Sequence, residues 1–234
     1  VFTNINLGLR YVLPIFPYLF IGAGKLVPWA AGMGSRVRRL LAGGLIGASL
    51  AATLTATLTI DAHYLAYFNA VSGGPAHGSE HLIDSNLDWG QDLLGLRRWL
   101  ATHAPGERVG LAYFGQINPS IFAMRPGEGF DWFLPPPLPG TTEPLQEPDQ
   151  IRPRPARLEP GLYAVSASLV RGLPWRVYDN TRWRPYSAWI DAFGYFRALT
   201  PIERIGDSIF VYRVGGKDAA RLAPLWAGEN HGPR

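Results

Sequence analysis

The first sixty residues contain two long apolar runs. Residues 40–60 are 21 positions without a charge. As a helix they would cover about 30 Å, the thickness of the hydrocarbon core of a bilayer. Threonine stands at alternate positions from 53 to 59, which also suits a strand. A lone strand would leave its backbone groups unpaired in lipid, so the pattern predicts a transmembrane helix over residues 40–60.

The earlier apolar run, residues 11–31, is interrupted by Lys25 and contains Pro14, Pro17 and Pro28. Lys25 lies toward the end of the run that meets a basic connection, so its long side chain can reach the membrane surface there. The alternative is a buried hairpin of a soluble protein. Because charge-free runs as long as the later one are rare in soluble helices, we predict that residues 11–31 also cross the membrane.

The connection between the two runs, residues 32–39, is basic. It holds three of the five basic residues that precede Asp61, whereas all 18 acidic residues lie at Asp61 or later. Short loops rich in Lys and Arg stay in the cytoplasm. The charge pattern therefore predicts a cytoplasmic loop at 32–39 and an extracytoplasmic location for everything after Asp61. The three residues are Arg36, Arg38 and Arg39.

Small residues recur every four positions on the second predicted span. Gly43, Gly47 and Ala51 have the spacing that lets two helices approach closely. Two helices alone would leave much of that surface without protein neighbours. We therefore expect further transmembrane helices, upstream in the same protein.

The rest of the chain predicts a small α/β extracytoplasmic domain. A junction at 61–89 leads into a domain at 90–214, which includes a proline-rich loop at 126–160 and is followed by a weakly ordered tail at 215–234. The predicted elements are a helix at 90–103, a strand at 108–114, a helical turn at 119–124, a strand at 162–170, a helix at 186–199, and a hairpin of 202–205 with 208–214.

Composition excludes several functional classes. The net charge of +4 comes from the apolar first quarter, since 17 basic residues face 18 acidic ones in the remainder. This distribution does not indicate nucleic-acid binding. The chain has no cysteine, which excludes disulfides and thiolate metal sites.

A dense polar segment, residues 84–92, precedes the helix predicted at 90–103. It resembles a calcium-binding loop, but its glycine comes one position late and the twelfth position is Gly95 rather than glutamate. A capped helix start with solvated carboxylates is the plain alternative. The functional hypothesis is a cluster that faces the membrane surface and holds a sugar or peptide hydroxyl, formed by Asp84, Asn86, Asp88, Trp89, Gln91 and Asp92.

Two further motifs are candidates for chemistry. Arg10 and Tyr11 lie at the outer mouth of the first predicted span, where a guanidinium can bind a lipid phosphate through two hydrogen bonds, or can simply anchor the helix at the interface. His77, Glu80 and His81 match the zinc-peptidase pattern H-x-x-E-H. The glycines and proline around that motif indicate a loop rather than the helix that the pattern requires, so we predict no metal site.

Several segments resemble the bacterial glycosyltransferase family 39 proteins, relatives of the dolichyl-phosphate-mannose–protein mannosyltransferases. Residues 6–11 running into 13–17 resemble a late loop-to-helix motif of that family. Residues 64–69, 73–75 and 84–93 resemble the junction before its C-terminal periplasmic domain, and 163–167 and 205–209 also fit. The resemblance covers most of the chain, and the block at 84–93 is its most specific part.

The resemblance implies the C-terminal portion of a bacterial inner-membrane enzyme with a GT-C-like helix bundle. Such an enzyme transfers a sugar from a polyprenyl-phosphate carrier to an extracytoplasmic acceptor. No position here corresponds to the catalytic aspartate of the family, and no cofactor is implied for this chain. Arg10 would contact the carrier phosphate and Tyr11 would shape the site. The alternative is a non-catalytic membrane-anchored module that binds a glycan or a protein.

Overall fold

The computed structural model describes residues 13–60, 63–115, 117–125, 127–133, 158–179, 184–188 and 190–226. It contains an apolar helical part followed by a small α/β domain. Two stretches, Leu13–Ala31 and Arg36–Thr59, are long and apolar enough to cross a membrane by length and composition. This confirms the predicted layout of two apolar helices before an α/β domain.

The first apolar stretch bends in its middle. It consists of α1 (Phe16–Ala23) and α2 (Leu26–Ala31), with a turn at Gly24 and Lys25 between them. Pro28 has no backbone N–H to donate to the carbonyl of Gly24, which lies four residues earlier. The proline and the break in the helix are therefore linked.

The second stretch, α3 (Arg36–Thr59), begins four residues before the predicted start. The side chain of Ser35 accepts a hydrogen bond from the backbone N–H of Arg38 at 3.5 Å and caps the helix. The three arginines thus lie in the first turn of α3 rather than in a loop. The hydroxyl of Thr53 donates to the carbonyl of Ser49 at 3.0 Å, and Thr57 donates to Thr53 at 2.9 Å. These bonds fit the helix and exclude the strand alternative.

The α/β domain follows the junction. The junction contains a short helix, α4 (Pro75–Gly78). The elements of the domain are α5 (Leu93–His103), β1 (Val109–Ala112), β2 (Phe130–Trp132), β3 (Gly161–Ser166), α6 (Ala167–Val170), β4 (Trp175–Asp179), β5 (Arg184–Ala188), β6 (Glu203–Ile205), β7 (Ile209–Val214) and α7 (Gly216–Trp226). Strands β4 and β5 pair with each other as a separate antiparallel hairpin.

The main sheet has five strands in the order β2-β1-β3-β7-β6. Strand β1 is parallel to both β2 and β3, whereas β7 is antiparallel to β3 and to β6. The pairing of β6 with β7 confirms the predicted hairpin. Consequently the carboxyl ends of β1, β2 and β3 and the amino end of β7 lie along one edge of the sheet. We call this the carboxyl edge and the opposite one the amino edge.

Alternating residues of the strands divide the core into two layers. Leu111, Ala164 and Val211 pack on one face with Leu93 and Leu96 of α5. The other face is aromatic and is covered by α6, α7 and the 3₁₀ turn Gly194–Ala198. Its buried members include Tyr163, Val165, Phe193, Phe196, Phe210, Tyr212, Ala219 and Leu222.

Three predicted elements were wrong. The helix expected at 186–199 is replaced by β5 and the turn Gly194–Ala198, because aromatic residues favour strands and Asp191 adopts a positive φ of 68° that interrupts a helix. The strand expected at 162–170 ends at Ser166 and turns into α6. The start of the tail forms α7, because Ala219 and Leu222, one turn apart, are buried against the core.

Candidate functional site

The carboxyl edge of the sheet brings distant polar residues together. The chain moves from β1 outward to β2 and then crosses back to β3, so the strand order reverses between β1 and β3. In open α/β sheets, ligands bind outside the carboxyl ends of strands at such a reversal. Ser166 ends β3 at this point, and Tyr113 and Phe114 follow β1. The segment 84–92 lies against this edge.

Asp88 is bound at the reversal itself. Its Oδ2 accepts a hydrogen bond from the hydroxyl of Ser166 at 3.0 Å, and its Oδ1 accepts one from the backbone N–H of Gly90 at 2.8 Å. The Ser166 hydroxyl in turn accepts from the backbone N–H of Phe114 at 2.9 Å. A continuous chain of hydrogen bonds therefore joins the polar segment to the ends of both β1 and β3.

Asp92 is bound to the neighbouring strand in the same manner. Ser208, directly before β7, donates its hydroxyl to Asp92 Oδ2 at 2.6 Å. The Nδ1 atom of His63 lies 3.4 Å from Asp92 Oδ1. Gly206 backs the carboxylate so closely that a Cβ there would lie 2.1 Å from Asp92 Oδ1. Asp92 is therefore enclosed by the junction, the β6–β7 turn and the start of α5.

Burial changes the acid–base behaviour of both carboxyls. Desolvation raises the pKa of Asp88 from 3.8 to about 6, partly opposed by its hydrogen bonds from Gly90 and Ser166. Desolvation also raises the pKa of Asp92, opposed by Ser208 and His63. The neighbouring Asp92 raises the pKa of Asp88 slightly further, because like charges repel. The edge therefore holds two carboxyls whose ionised forms are disfavoured.

Tyr113 contributes a buried phenol to the same edge. Its hydroxyl makes no hydrogen bond of normal geometry with the described residues. It packs against Gly90, where a Cβ would lie 1.9 Å from the hydroxyl oxygen. Desolvation, with a smaller contribution from Asp88, raises the pKa of Tyr113 above its usual value, and a weak contact with the backbone N–H of Ile117 partly opposes the rise. Gly90 is thus required for this contact, and its φ of 98° also favours glycine.

The six residues proposed for acceptor contact differ in exposure. Asp88 and Asp92 are buried and bind protein groups, as described above. Asp84, Asn86 and Gln91 are half-buried, and Trp89 is exposed. The plain alternative of a capped helix start with solvated carboxylates was wrong, because Asp92 occupies the cap position of α5 without a side-chain cap bond and both Asp88 and Asp92 are buried. Trp89 and the half-buried polar groups form the outer surface of the site.

The remaining members of the segment hold its shape. Trp89 donates its indole N–H to the carbonyl of Ser85 at 2.7 Å, and its backbone N–H to Gln91 Oε1 at 2.9 Å. Gln91 donates to the carbonyl of Leu87 at 3.0 Å. Asp84 adopts a φ of 66°, and its backbone N–H donates to the Ser168 hydroxyl at 3.1 Å. These contacts fix a compact turn rather than an open calcium loop.

The zinc-peptidase pattern does not assemble in this structure. His77 Nδ1 lies 3.3 Å from Glu80 Oε2, while Arg171 donates to Glu80 Oε1 at 2.9 Å. His81 Nε2 lies 2.9 Å from the carbonyl oxygen of Ser72. Within the described residues, no group of three or more His, Asp or Glu side chains could hold a metal ion.

The predicted site residues and the observed ones overlap only in part. Arg10 and Tyr11 lie outside the described residues. Conversely, sequence reasoning missed Ser166, Ser208 and His63 as partners of the carboxylates. Serine stands directly at the boundary of two apolar strand runs, after 162–165 and before 209–212, which was the available signal.

No family model matches the chain, and neither a curated protein nor a solved structure is significantly similar to it. The features of the molecule that bear on its function are therefore the apolar helices, the charge pattern and the geometry of the carboxyl edge.

Proposed function

We propose that this chain is part of a membrane enzyme that transfers a sugar from a polyprenyl-phosphate carrier to an extracytoplasmic acceptor. In this proposal, α1 to α3 lie in a bacterial inner membrane beside further helices of the same protein. The α/β domain lies on the outer side and contributes an accessory surface rather than the catalytic aspartate. The sequence resemblance at residues 6–17 and 84–93 motivates the choice of reaction.

The uncovered apolar surface of the helices is the observation that carries the proposal. No residue of α3 is buried, and large side chains such as Leu45, Leu50 and Leu54 are exposed along its length. At 1.5 Å per residue, its 24 residues span about 36 Å, enough to cross a bilayer. The hydroxyls of Ser49, Thr53 and Thr57 donate within the helix, so α3 presents few unsatisfied polar groups to lipid.

The predicted orientation can be tested by single-cysteine labelling, since the natural chain has no cysteine. Gly34→Cys lies between α2 and α3, where a Cβ meets no atom within 4 Å, and Ala220→Cys lies on the exposed side of α7. A membrane-impermeant maleimide should label Ala220→Cys in intact spheroplasts. It should label Gly34→Cys only after permeabilisation. Labelling of the two sites in the reverse order would contradict the orientation.

The carrier-phosphate role of Arg10 can be tested in the full-length enzyme. Loss of a charged hydrogen bond costs about 1.5–3 kcal/mol, so Arg10→Ala should reduce sugar transfer by roughly ten-fold or more. Arg10→Lys, which keeps the charge but cannot form the two-pronged bond, should retain intermediate activity. Arg221→Ala removes a charge from the exposed ion pair with Asp218 and serves as the control. Transfer unchanged in Arg10→Ala would remove this residue from the mechanism.

A non-catalytic, membrane-anchored module that binds a glycan is the second candidate. It is favoured by the fact that Asp88 and Asp92 both bind protein groups at the carboxyl edge. In that case Trp89, exposed beside the half-buried Asp84, would provide a stacking surface for a sugar ring. Trp89→Ala should then weaken glycan binding to the membrane-reconstituted chain, while transfer would be undetectable even in the full-length protein.

A further inference from the structure

Exposed aromatic and aliphatic residues are concentrated directly after α3. Tyr64, Leu65, Tyr67 and Val71 follow the end of α3 within twelve residues, and Trp89, on the polar segment at the carboxyl edge, is also exposed. Val71 is 98% exposed and Trp89 is 48% exposed. We call these five residues the junction face. A monomeric domain in water rarely concentrates such residues in one place without a partner.

The junction face is attached firmly to the domain. Ala66 is buried in the aromatic layer of the core, which holds the turn Tyr64–Ala66 against the domain. On the other side of Val71, Arg171 donates to Glu80 Oε1 at 2.9 Å, and the backbone N–H of Asp84 donates to the hydroxyl of Ser168 in α6 at 3.1 Å. The exposed side chains between these anchors therefore have a fixed direction relative to the sheet.

A short chain of contacts links the end of α3 to the carboxyl edge. The carbonyl of Ile60, one residue after α3, accepts a hydrogen bond from the backbone N–H of His63 at 2.8 Å. The His63 ring lies 3.4 Å from Asp92, which accepts from Ser208 at 2.6 Å. The point at which the apolar helix ends is therefore only a few residues from the carboxyl edge of the sheet.

From these contacts we propose that the junction face rests on the lipid interface of the membrane that α3 crosses. The carboxyl edge then faces the bilayer and the amino edge faces away from it. Tyrosine and tryptophan suit this location, because their rings are apolar and their polar tips can bond near the headgroups. The inference depends on the proposed membrane insertion and adds which surface of the domain lies against lipid.

In this orientation, segment 84–92 lies between the membrane surface and the carboxyl ends of β1 and β3, where the strand order reverses. An acceptor or lipid headgroup arriving along the membrane surface would meet Trp89 and Asp84 before the buried carboxyls. The enclosed groups Asp88 and Asp92 would fix that surface rather than contact the ligand. The domain would thus contact the interface through Trp89 and Asp84, whose positions are fixed by the buried Asp88 and Asp92.

Depth-dependent fluorescence quenching tests the proposal in the full chain. Single cysteines at Val71, Ala101 and Leu50 are labelled with a nitrobenzoxadiazole probe. The proteins are reconstituted into phosphatidylethanolamine–phosphatidylglycerol vesicles that carry nitroxides either near the headgroup or deep in the acyl chain. Val71 and Ala101 are both exposed, but Ala101 lies toward the far end of α5, about 14 Å along the helix from Asp92. Leu50, in the middle of α3, reports insertion itself.

We expect the Val71 probe to be blue-shifted and quenched by the shallow nitroxide, the Leu50 probe to be quenched by the deep one, and the Ala101 probe to be affected by neither. Quenching at Leu50 without quenching at Val71, or equal quenching at Val71 and Ala101, would overturn the inference while leaving insertion intact. Absence of quenching at Leu50 would overturn both the inference and the proposed function.

Discussion

The carboxylates at the two edges of the five-stranded sheet have different partners. At the amino edge, the solvent-accessible Glu107 pairs with Arg213 at 2.9 Å, and the buried Asp131 pairs with Arg108 at 2.5 Å. Both arginines are about half exposed, and a cavity of about 440 Å³ opens between the end of α5 and the starts of β1 and β2. At the carboxyl edge, by contrast, Asp88 and Asp92 are buried and are bound by serine hydroxyls rather than by arginine.

This difference indicates where the sequence is constrained. Exposed ion pairs contribute about 0–1 kcal/mol each, because water and salt screen them. A buried carboxyl without its partners costs several times more, since it loses its hydration and gains nothing in return. Substitutions of Asp88, Asp92 or their serine partners should therefore have large and specific effects, whereas substitutions in the accessible Arg213–Glu107 pair of the amino edge should be tolerated.

The largest expected difference concerns two glycines with positive φ, one at each edge. Gly90, at the carboxyl edge, has a φ of 98°, and a Cβ there would lie 1.9 Å from the Tyr113 hydroxyl. Gly106, at the amino edge, has a φ of 75°, and a Cβ there would meet no atom within 4 Å. Gly90→Ala should lower the free energy of unfolding by about 4 kcal/mol, since it combines backbone strain with overpacking.

Gly106→Ala is the matched control, because it introduces strain without the clash. It should cost about 1–2 kcal/mol. Both variants are compared by urea denaturation of the detergent-solubilised chain, followed by tryptophan fluorescence. Equal losses of unfolding free energy in the two variants would mean that the carboxyl edge accommodates the extra methyl group as easily as the amino edge does. The proposed contrast between the two edges would then be wrong.

The next largest effect concerns pH, because the titration of Asp88 makes the free energy of unfolding depend on it. Folding raises the pKa of Asp88 from 3.8 to about 6. Between these values the folded state holds more protons than the unfolded state, so stability falls as pH rises from about 4 to 6. The shift corresponds to about 3 kcal/mol over that window. Asp88→Asn cannot ionise and should flatten this part of the curve of unfolding free energy against pH.

Leu87→Ala provides the control for this measurement. Leu87 is completely buried beside Asp88 and carries no titratable group. Its truncation should lower stability by about 2–5 kcal/mol at every pH, giving a curve parallel to that of the natural protein. A curve for Asp88→Asn that also runs parallel would show that Asp88 does not titrate in this range.

The contrast between edges also explains what could be predicted from the sequence. Local patterns identified α3, α5, β1 and the β6–β7 hairpin, because each depends on neighbouring residues: an uncharged apolar run, a repeated leucine face or a Gly-Asp turn. Helix α7 was missed although Ala219 and Leu222 have helical spacing, because short patterns near polar residues also suit a loop.

The interior of the site could not be predicted in the same way. The polar segment 84–92 was recognised, but its carboxylates were expected to face a ligand. Ser166 lies 78 positions from Asp88, and Ser208 lies 116 positions from Asp92. Only the strand order and the register of β3 with β7 bring these partners together, and neither is visible in a local pattern.

The smallest predicted effect is a difference in sign between two buried tyrosines. At the amino edge, the Tyr163 hydroxyl donates to the carbonyl of Glu159 at 2.8 Å and accepts from its backbone N–H at 3.1 Å. Tyr163→Phe should therefore lower the free energy of unfolding by about 1 kcal/mol. At the carboxyl edge, Tyr113→Phe removes a buried hydroxyl without a normal hydrogen bond to the described residues, and should raise it by about 1 kcal/mol.

The same substitution should partly rescue Gly90→Ala, because it removes the oxygen that the new Cβ would meet. The double variant Gly90→Ala with Tyr113→Phe should be more stable than Gly90→Ala by more than the gain from Tyr113→Phe alone. Urea midpoints of the four proteins give this coupling directly. Suppose instead that Tyr113→Phe destabilises the protein and does not restore any stability to Gly90→Ala. The phenol would then have a hydrogen-bond partner at the carboxyl edge, and its contact with Gly90 would not be the reason that alanine is unfavourable at position 90.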